Sequence, residues 1–75
     1  MKELLEFIAR SLVEYPDDVV VTEREDEKAT VLELHVNESD MGKVIGKQGR
    51  VAKAIRSVMK AAAIKDNKTV VVDII

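Results

Sequence analysis

At 75 residues and without a cysteine, the chain has room for one domain, buries only about 60% of its unfolded surface, and excludes a disulfide framework or a thiolate metal site. Its 47% apolar and 35% charged side chains suit a globular fold; no signal peptide is visible and no apolar run approaches the about 20 residues of a membrane span, so the expected location is cytoplasmic. The formal net charge of -2 argues at first sight against a nucleic-acid partner.

In chain order, residues 2–15 read as a helix, because Leu5, Ile8, Ala9 and Leu12 recur at the spacing of one buried helical face. Tyr15-Pro16 ends it, since proline disfavours helical angles in the residue before it. Asp17-Asp18 then makes a turn, and Val19 to Glu25 reads as a strand, β-branched at its start. After the charged turn Glu25-Asp26-Glu27-Lys28, a second strand runs from Ala29 to Val36. Its alternation puts Thr30, Leu32, Leu34 and Val36 on one face and Val31, Glu33 and His35 on the other, and the short link makes the pair an antiparallel hairpin. Ser39 and Asp40 are candidate N-caps for a short helix through Met41–Ile45. A glycine loop follows, then a long helix from Arg50 to Ile64, a turn at Asp66-Asn67-Lys68, and a last strand from Thr69 to Ile75 with Val70, Val72 and Ile74 on one face. Joining the second and third strands through a helix pair requires a crossover, which favours parallel pairing. The expected fold is therefore α+β, in the order α-β-β-α-α-β: a mixed three-stranded sheet with three helices on one face, forming a single domain over residues 1–75.

The charge is segregated. Residues 1–40 carry four basic and twelve acidic side chains, whereas residues 41–65 carry seven basic ones (Lys43, Lys47, Arg50, Lys53, Arg56, Lys60, Lys65) and no acid. Such a field attracts phosphate locally while the acidic part discourages binding elsewhere; a run of lysines kept for solubility is the plainer alternative.

Residues 42–50 read Gly-Lys-Val-Ile-Gly-Lys-Gln-Gly-Arg. A P-loop needs four residues between its first glycine and the Gly-Lys pair, then Ser or Thr; here three residues separate Gly42 from Gly46, and Lys47 is followed by Gln48. A dinucleotide fingerprint fails on spacing as well. What remains is G-x-x-G between two helices. Gly46 and Gly49 allow sharp turning and close approach of another backbone, and the N–H groups that open the next helix favour an anion there. Lys47 at the tip and the Arg50 fork can reach phosphate oxygens. A plain interhelical turn would use the same glycines. In the following helix, Val51, Ala52, Ile55, Val58, Met59 and Ala62 cluster on one side, and Arg50, Lys53, Arg56 and Lys60 fall within an arc of about 120° beside them. Phosphate contacts of this kind position a strand but do not read it. Val44 and Ile45 could floor a groove beside the loop or belong to the core. Aromatic content of 3%, confined to Phe7 and Tyr15, argues against modules that stack bases on aromatic platforms.

Val44-Ile45-Gly46-Lys47-Gln48-Gly49-Arg50, followed by Ala52, Ile55 and Arg56, resembles the KH signature, and the element order resembles the type II KH arrangement of bacterial proteins. Glu14-Tyr15-Pro16-Asp17, Val20 to Glu23 and Asp40-Met41-Gly42-Lys43 extend the likeness over nearly the whole chain to the small stand-alone bacterial KH proteins of the KhpA family. Ala52 departs from the broader KH pattern, which often has a larger aliphatic there, but suits this small class. The resemblance implies RNA binding without catalysis, a role in post-transcriptional control or RNA chaperoning, and self-association as a homodimer or pairing with a larger, KhpB-like KH protein. It carries the backbone clamp onto Gly46, Lys47, Gln48 and Gly49, with Val44 and Ile45 beside it and Lys43, Arg50 and Lys53 as flanking phosphate contacts.

Other constellations are poor. His35 is the only histidine and one neighbouring Glu does not complete a usual zinc site, so no metal or cofactor is expected. No nucleophile–base or paired-carboxylate spacing supports an enzyme. Single-stranded RNA is the expected partner, with single-stranded DNA open. The alternative is an assembly subunit of a larger RNA-binding complex with little RNA affinity of its own, contacting its partner through the basic helix or the outer sheet face at Val31, Val71 and Ile75.

Overall fold

The computed structural model describes residues 1–75. Helix α1 covers Lys2–Leu12, strands β1 and β2 cover Val20–Glu25 and Thr30–His35, α2 covers Met41–Ile45, α3 covers Arg50–Lys65 and β3 covers Val70–Ile74. Single 3-10 turns occupy Pro16–Asp18, Glu38–Asp40 and Lys47–Gly49. The element order and the α+β class agree with the sequence reading.

The sheet has the order β1-β2-β3. β1 and β2 are antiparallel, with Val20 opposite His35 and Glu25 opposite Thr30. β2 and β3 are parallel, with Thr30 opposite Val70 and Leu34 opposite Ile74, as a helical crossover dictates. The register puts Leu32 and Leu34 on the face under the helices, where both are fully buried; each such burial is worth about 1.5–3 kcal/mol. Leu5 and Ala9 from α1, Val44 from α2, and Ile55 and Met59 from α3 close over them, with Val19, Val21 and Val72 completing one core. The helices therefore cover one face only. Val31 is on the outer face yet is buried, because on the central strand it is flanked by Arg24 of β1 and Val71 of β3. It offers nothing to a partner, which corrects the outer-face surface expected from sequence; Val71 and Ile75 alone of those three are exposed.

Two differences from the sequence reading have physical causes. α1 stops at Leu12, three residues early, and Val13 is extended at φ -101°, ψ 161°. The backbone N–H groups of Glu14 and Tyr15 donate to the side chain of Asp40, at 3.2 and 3.1 Å, instead of to a helical carbonyl. In α3 the buried face is Ala52, Ile55, Met59 and Ala63, rotated away from the apolar centre of the helix. Val58 is left 48% exposed, so the apolar side of α3 is wider than the side its own core uses.

Candidate nucleic-acid interface

Between α2 and α3 the chain turns twice within four residues. Gly46 takes φ 76°, ψ 173°, a region essentially closed to residues with a side chain. A Cβ there would also press into the Val51 side chain and lie 2.9 Å from the Val51 nitrogen, so glycine is required twice over. Gly49 is left-handed at φ 74°, ψ 14°, but a Cβ on it would meet nothing within 4 Å; only its dihedral calls for glycine. Gln48 between them is left-handed too, at φ 57°, ψ 25°, a strain of about 1–2 kcal/mol in a residue with a Cβ. The Gly49 N–H donates to the Gly46 carbonyl at 3.2 Å, and the Gly46 N–H to the Gly42 carbonyl at 2.8 Å. Strained backbone held by its surroundings is characteristic of ligand clamps.

α3 starts at Arg50 with no side-chain cap and no acidic residue in its first turn. The partial positive charge of its N-terminus therefore faces the loop without an internal counter-charge. Lys47, Gln48 and Arg50 are exposed, with Arg50 Nη2 at 3.5 Å from Gln48 Oε1. Lys47, Arg50, Lys53 and Lys60 have no acidic partner; of the cations in residues 41–65 only Lys43 forms ion pairs, its Nζ 3.4 Å from Glu14 Oε1 and 3.6 Å from Asp40 Oδ1. Arg56 donates from Nε to the Val72 carbonyl at 3.3 Å, fastening the flank of α3 to β3. The one-signed row along α3 thus contains free cations at the loop end and a structural one at its middle.

The residues singled out from sequence come together in part. Gly46, Lys47, Gln48, Gly49 and Arg50 form one turn, its glycines half-buried and its three side chains exposed, and Lys53 stands exposed one helical turn further on. Ile45 is 38% exposed at the edge of the loop, but the Val44 side chain is fully buried. Val44 is therefore a core residue and its side chain cannot touch a bound strand. Lys43 is exposed but shared with two carboxylates.

Asp40 was missed. It occupies the N-cap position of α2, but its side chain caps nothing there; it turns back to Glu14 and Tyr15. Ser39 is not the cap either, being itself held by the Asn37 side chain. The sequence offers Asp40 as an N-cap, but nothing in it marks which of the twelve acids of residues 1–40 takes the Glu14 and Tyr15 N–H groups. A second missed feature is an open, wholly apolar groove between α1 and α3, about 370 Å³ in volume, where Leu4, Phe7, Leu12, Val51, Ala54 and Val58 come to the surface. Phe7 is 70% exposed.

A three-stranded mixed sheet under three helices, with a G-x-x-G turn between the last two, defines a type II KH domain. The model of the KhpA/KhpB KH domain matches residues 2–74, and the chain belongs to that family. It is 67% identical to the RNA-binding protein KhpA of Clostridium perfringens over the whole of both chains, and 65% identical to that of Clostridium acetobutylicum, again over both whole chains. The KhpA of Aquifex aeolicus is 47% identical over all of this chain and 95% of its own. Among solved structures, a variant of Aquifex aeolicus Era bound to GDP and aluminium fluoride superposes with a TM-score of 0.72 at 20% identity, covering 97% of this chain and 28% of that one. Era in complex with MgGDPNP and nucleotides 1506–1542 of 16S ribosomal RNA gives 0.67 at 21% identity, with the same coverage. At such identities the likeness concerns the fold alone. The family is one of binding domains, and the chain is not an enzyme.

Proposed function

We propose that this chain is a single-stranded RNA-binding protein, one KH unit over residues 1–75, that grips the RNA backbone through Gly46-Lys47-Gln48-Gly49. The observation that carries the reading is the loop itself: two glycines at positive φ enclosing a strained Gln48, aimed at an uncapped helix N-terminus beside unpartnered Lys47, Arg50 and Lys53. Backbone donors and mobile cations together recognise phosphates, which fixes the strand without reading it. Ile45 and the neighbouring backbone are left to contact bases. Relatives that align over their whole length are named RNA-binding proteins, and a role as RNA chaperone or post-transcriptional regulator in the cytoplasm fits a module of this size. No helix is long and apolar enough to cross a membrane.

Changing Lys47 and Gln48 both to Asp tests the loop. The variant is expected to keep its circular dichroism spectrum and lose binding to single-stranded RNA in a fluorescence-anisotropy titration. Undiminished binding would sink the assignment. A competition between ribose and deoxyribose strands of one sequence measures the preference for RNA.

A KH loop clamps about four nucleotides, so one copy binds weakly and a second copy raises affinity through linkage. The apolar groove between α1 and α3 favours such pairing, as a homodimer or with a larger KH partner of the KhpB kind. In the other reading, assembly is the main role and RNA affinity is slight. Salt separates them: phosphate binding weakens steeply as salt rises, and an apolar interface does not.

A further inference from the structure

Asp40 is the one charged side chain that is fully buried. Desolvating a carboxylate is costly unless it is met by donors and charge, and here the partners come from both sides of it. Oδ1 accepts from the Glu14 N–H and Oδ2 from the Tyr15 N–H, while Lys43 Nζ, one turn into α2, lies 3.6 Å from Oδ1. A second stitch lies alongside. Asn37 Nδ2 donates to Asp18 Oδ2 at 2.9 Å, and Asn37 Oδ1 accepts from the Ser39 N–H. The segment leading into α2 is thus fastened twice to the segment leaving α1.

α2 has only five residues, and Gly46 follows it directly. A helix that short cannot hold its direction by its own hydrogen bonds. Its fixed points are Val44, locked in the core, and Asp40 at its root. We propose that Asp40 is a positioning residue for the phosphate grip: its carboxylate ties the root of α2 to the exit of α1 and sets the pitch at which α2 delivers the loop. This rests on the reading of Gly46–Gly49 as an RNA clamp. Asparagine is no substitute, because its amide has one acceptor oxygen and would turn a donor toward one of the two N–H groups, and it offers Lys43 no charge. Coupling of this kind is reciprocal: if the clamp shapes the grip, bound RNA must tighten the clamp.

The test compares D40N with the double variant K47D/Q48D, using a labelled single-stranded RNA of mixed sequence at several salt concentrations, at a temperature where circular dichroism shows each variant folded. D40N is expected to bind about 5- to 20-fold more weakly than the wild type. Its plot of log K against log salt should be shallower by about 0.7 for each phosphate that the variant no longer neutralises, and the amide resonances of Gly46 and Gly49 should move while those of β1 and β2 stay. A residue that merely stabilised the fold would change neither the slope nor those resonances once the variant is folded. A folded D40N with wild-type affinity and unmoved glycine resonances overturns the proposal. If K47D/Q48D binds as the wild type does, the grip reading fails and the positioning role with it; if it loses binding while D40N does not, the positioning role alone falls. Should D40N not fold, hydrogen exchange on the wild type decides: RNA is expected to slow exchange at the Glu14 and Tyr15 amides. Exchange there that ignores RNA while the loop amides respond counts against the proposal.

Discussion

The hairpin turn at Asp26–Ala29 and the loop at Gly46–Gly49 face the same problem and solve it in opposite ways. Each bends the chain sharply and leaves backbone N–H groups without a strand or helix partner. In the hairpin turn the chain supplies its own anion: Asp26 Oδ1 accepts from the N–H groups of Lys28 and Ala29, both at 2.8 Å, and the Asp26 N–H donates to the Ala29 carbonyl. In the glycine loop no carboxylate is within the segment, since residues 41–65 contain none, and Lys47, Arg50 and Lys53 are exposed. The hairpin turn is satisfied by its own carboxylate, whereas the phosphate grip proposed for the glycine loop uses a turn from which the chain withholds its own acid. The same logic sets Lys43 apart from Lys47: the first is quenched by Glu14 and Asp40, the second is free.

The largest effect that should break this contrast comes from Gly46→Ala. The positive φ and the collision with Val51 add, and a loss of about 3 kcal/mol or more is expected in urea unfolding. Retained stability would mean that the loop relaxes into another shape. Next comes Lys47→Asp, which puts into the loop the acid that the hairpin turn has. RNA affinity should drop about tenfold or more while stability stays within about 0.5 kcal/mol; an unchanged dissociation constant would show that the loop cation is idle.

Smaller and opposite in sign is Gly42→Ala. Gly42 lies inside α2, and a Cβ there meets nothing within 4 Å, so alanine should stabilise the fold by about 0.5–1 kcal/mol. Because the free protein has no use for glycine at this position, any fall in RNA affinity that accompanies the gain reports a close approach by the RNA itself. The smallest effect belongs to the hairpin turn. The N–H groups of Lys28 and then Ala29 hold the Asp26 carboxyl below its ordinary value. A depressed folded pKa contributes stability that is present above the unfolded value and is lost as pH falls through the folded one. Asp26→Asn should therefore lower the melting temperature slightly at neutral pH, and the gap from the wild type should close in acid. A gap independent of pH would remove the carboxylate from this account.

Much of the fold was legible because its signals are local. Alternation in Thr30–Val36, the short charged turn before it and the glycine punctuation between α2 and α3 each reflect a constraint within a few residues. The G-x-x-G turn was legible for the same reason, since positive φ selects glycine wherever it occurs. The end of α1 was not, although Pro16 lay nearby: the residue that takes the Glu14 and Tyr15 N–H groups is Asp40, 26 and 25 positions away. Val44 shows the limit from the other side. Its motif position suited a groove floor as well as the more natural core, and only the packing of α2 against the sheet assigns it to the core.

The sequence by itself determined the order and type of the elements, the parallel crossover, the one-signed charge of residues 41–65 and the G-x-x-G turn, because backbone dihedral preference, side-chain periodicity and charge are properties of neighbours in the chain. Tertiary structure alone decided which part of each apolar face is used. Periodicity marks Leu12 and Val58 as apolar without naming what covers them, and in the fold they line an open groove beside Phe7. It also decided which charges are spent within the molecule. Asp40, Lys43 and Arg56 read like other charged residues, but the distance between groups is a property of the fold, and those distances leave Lys47, Arg50 and Lys53 without an acidic partner.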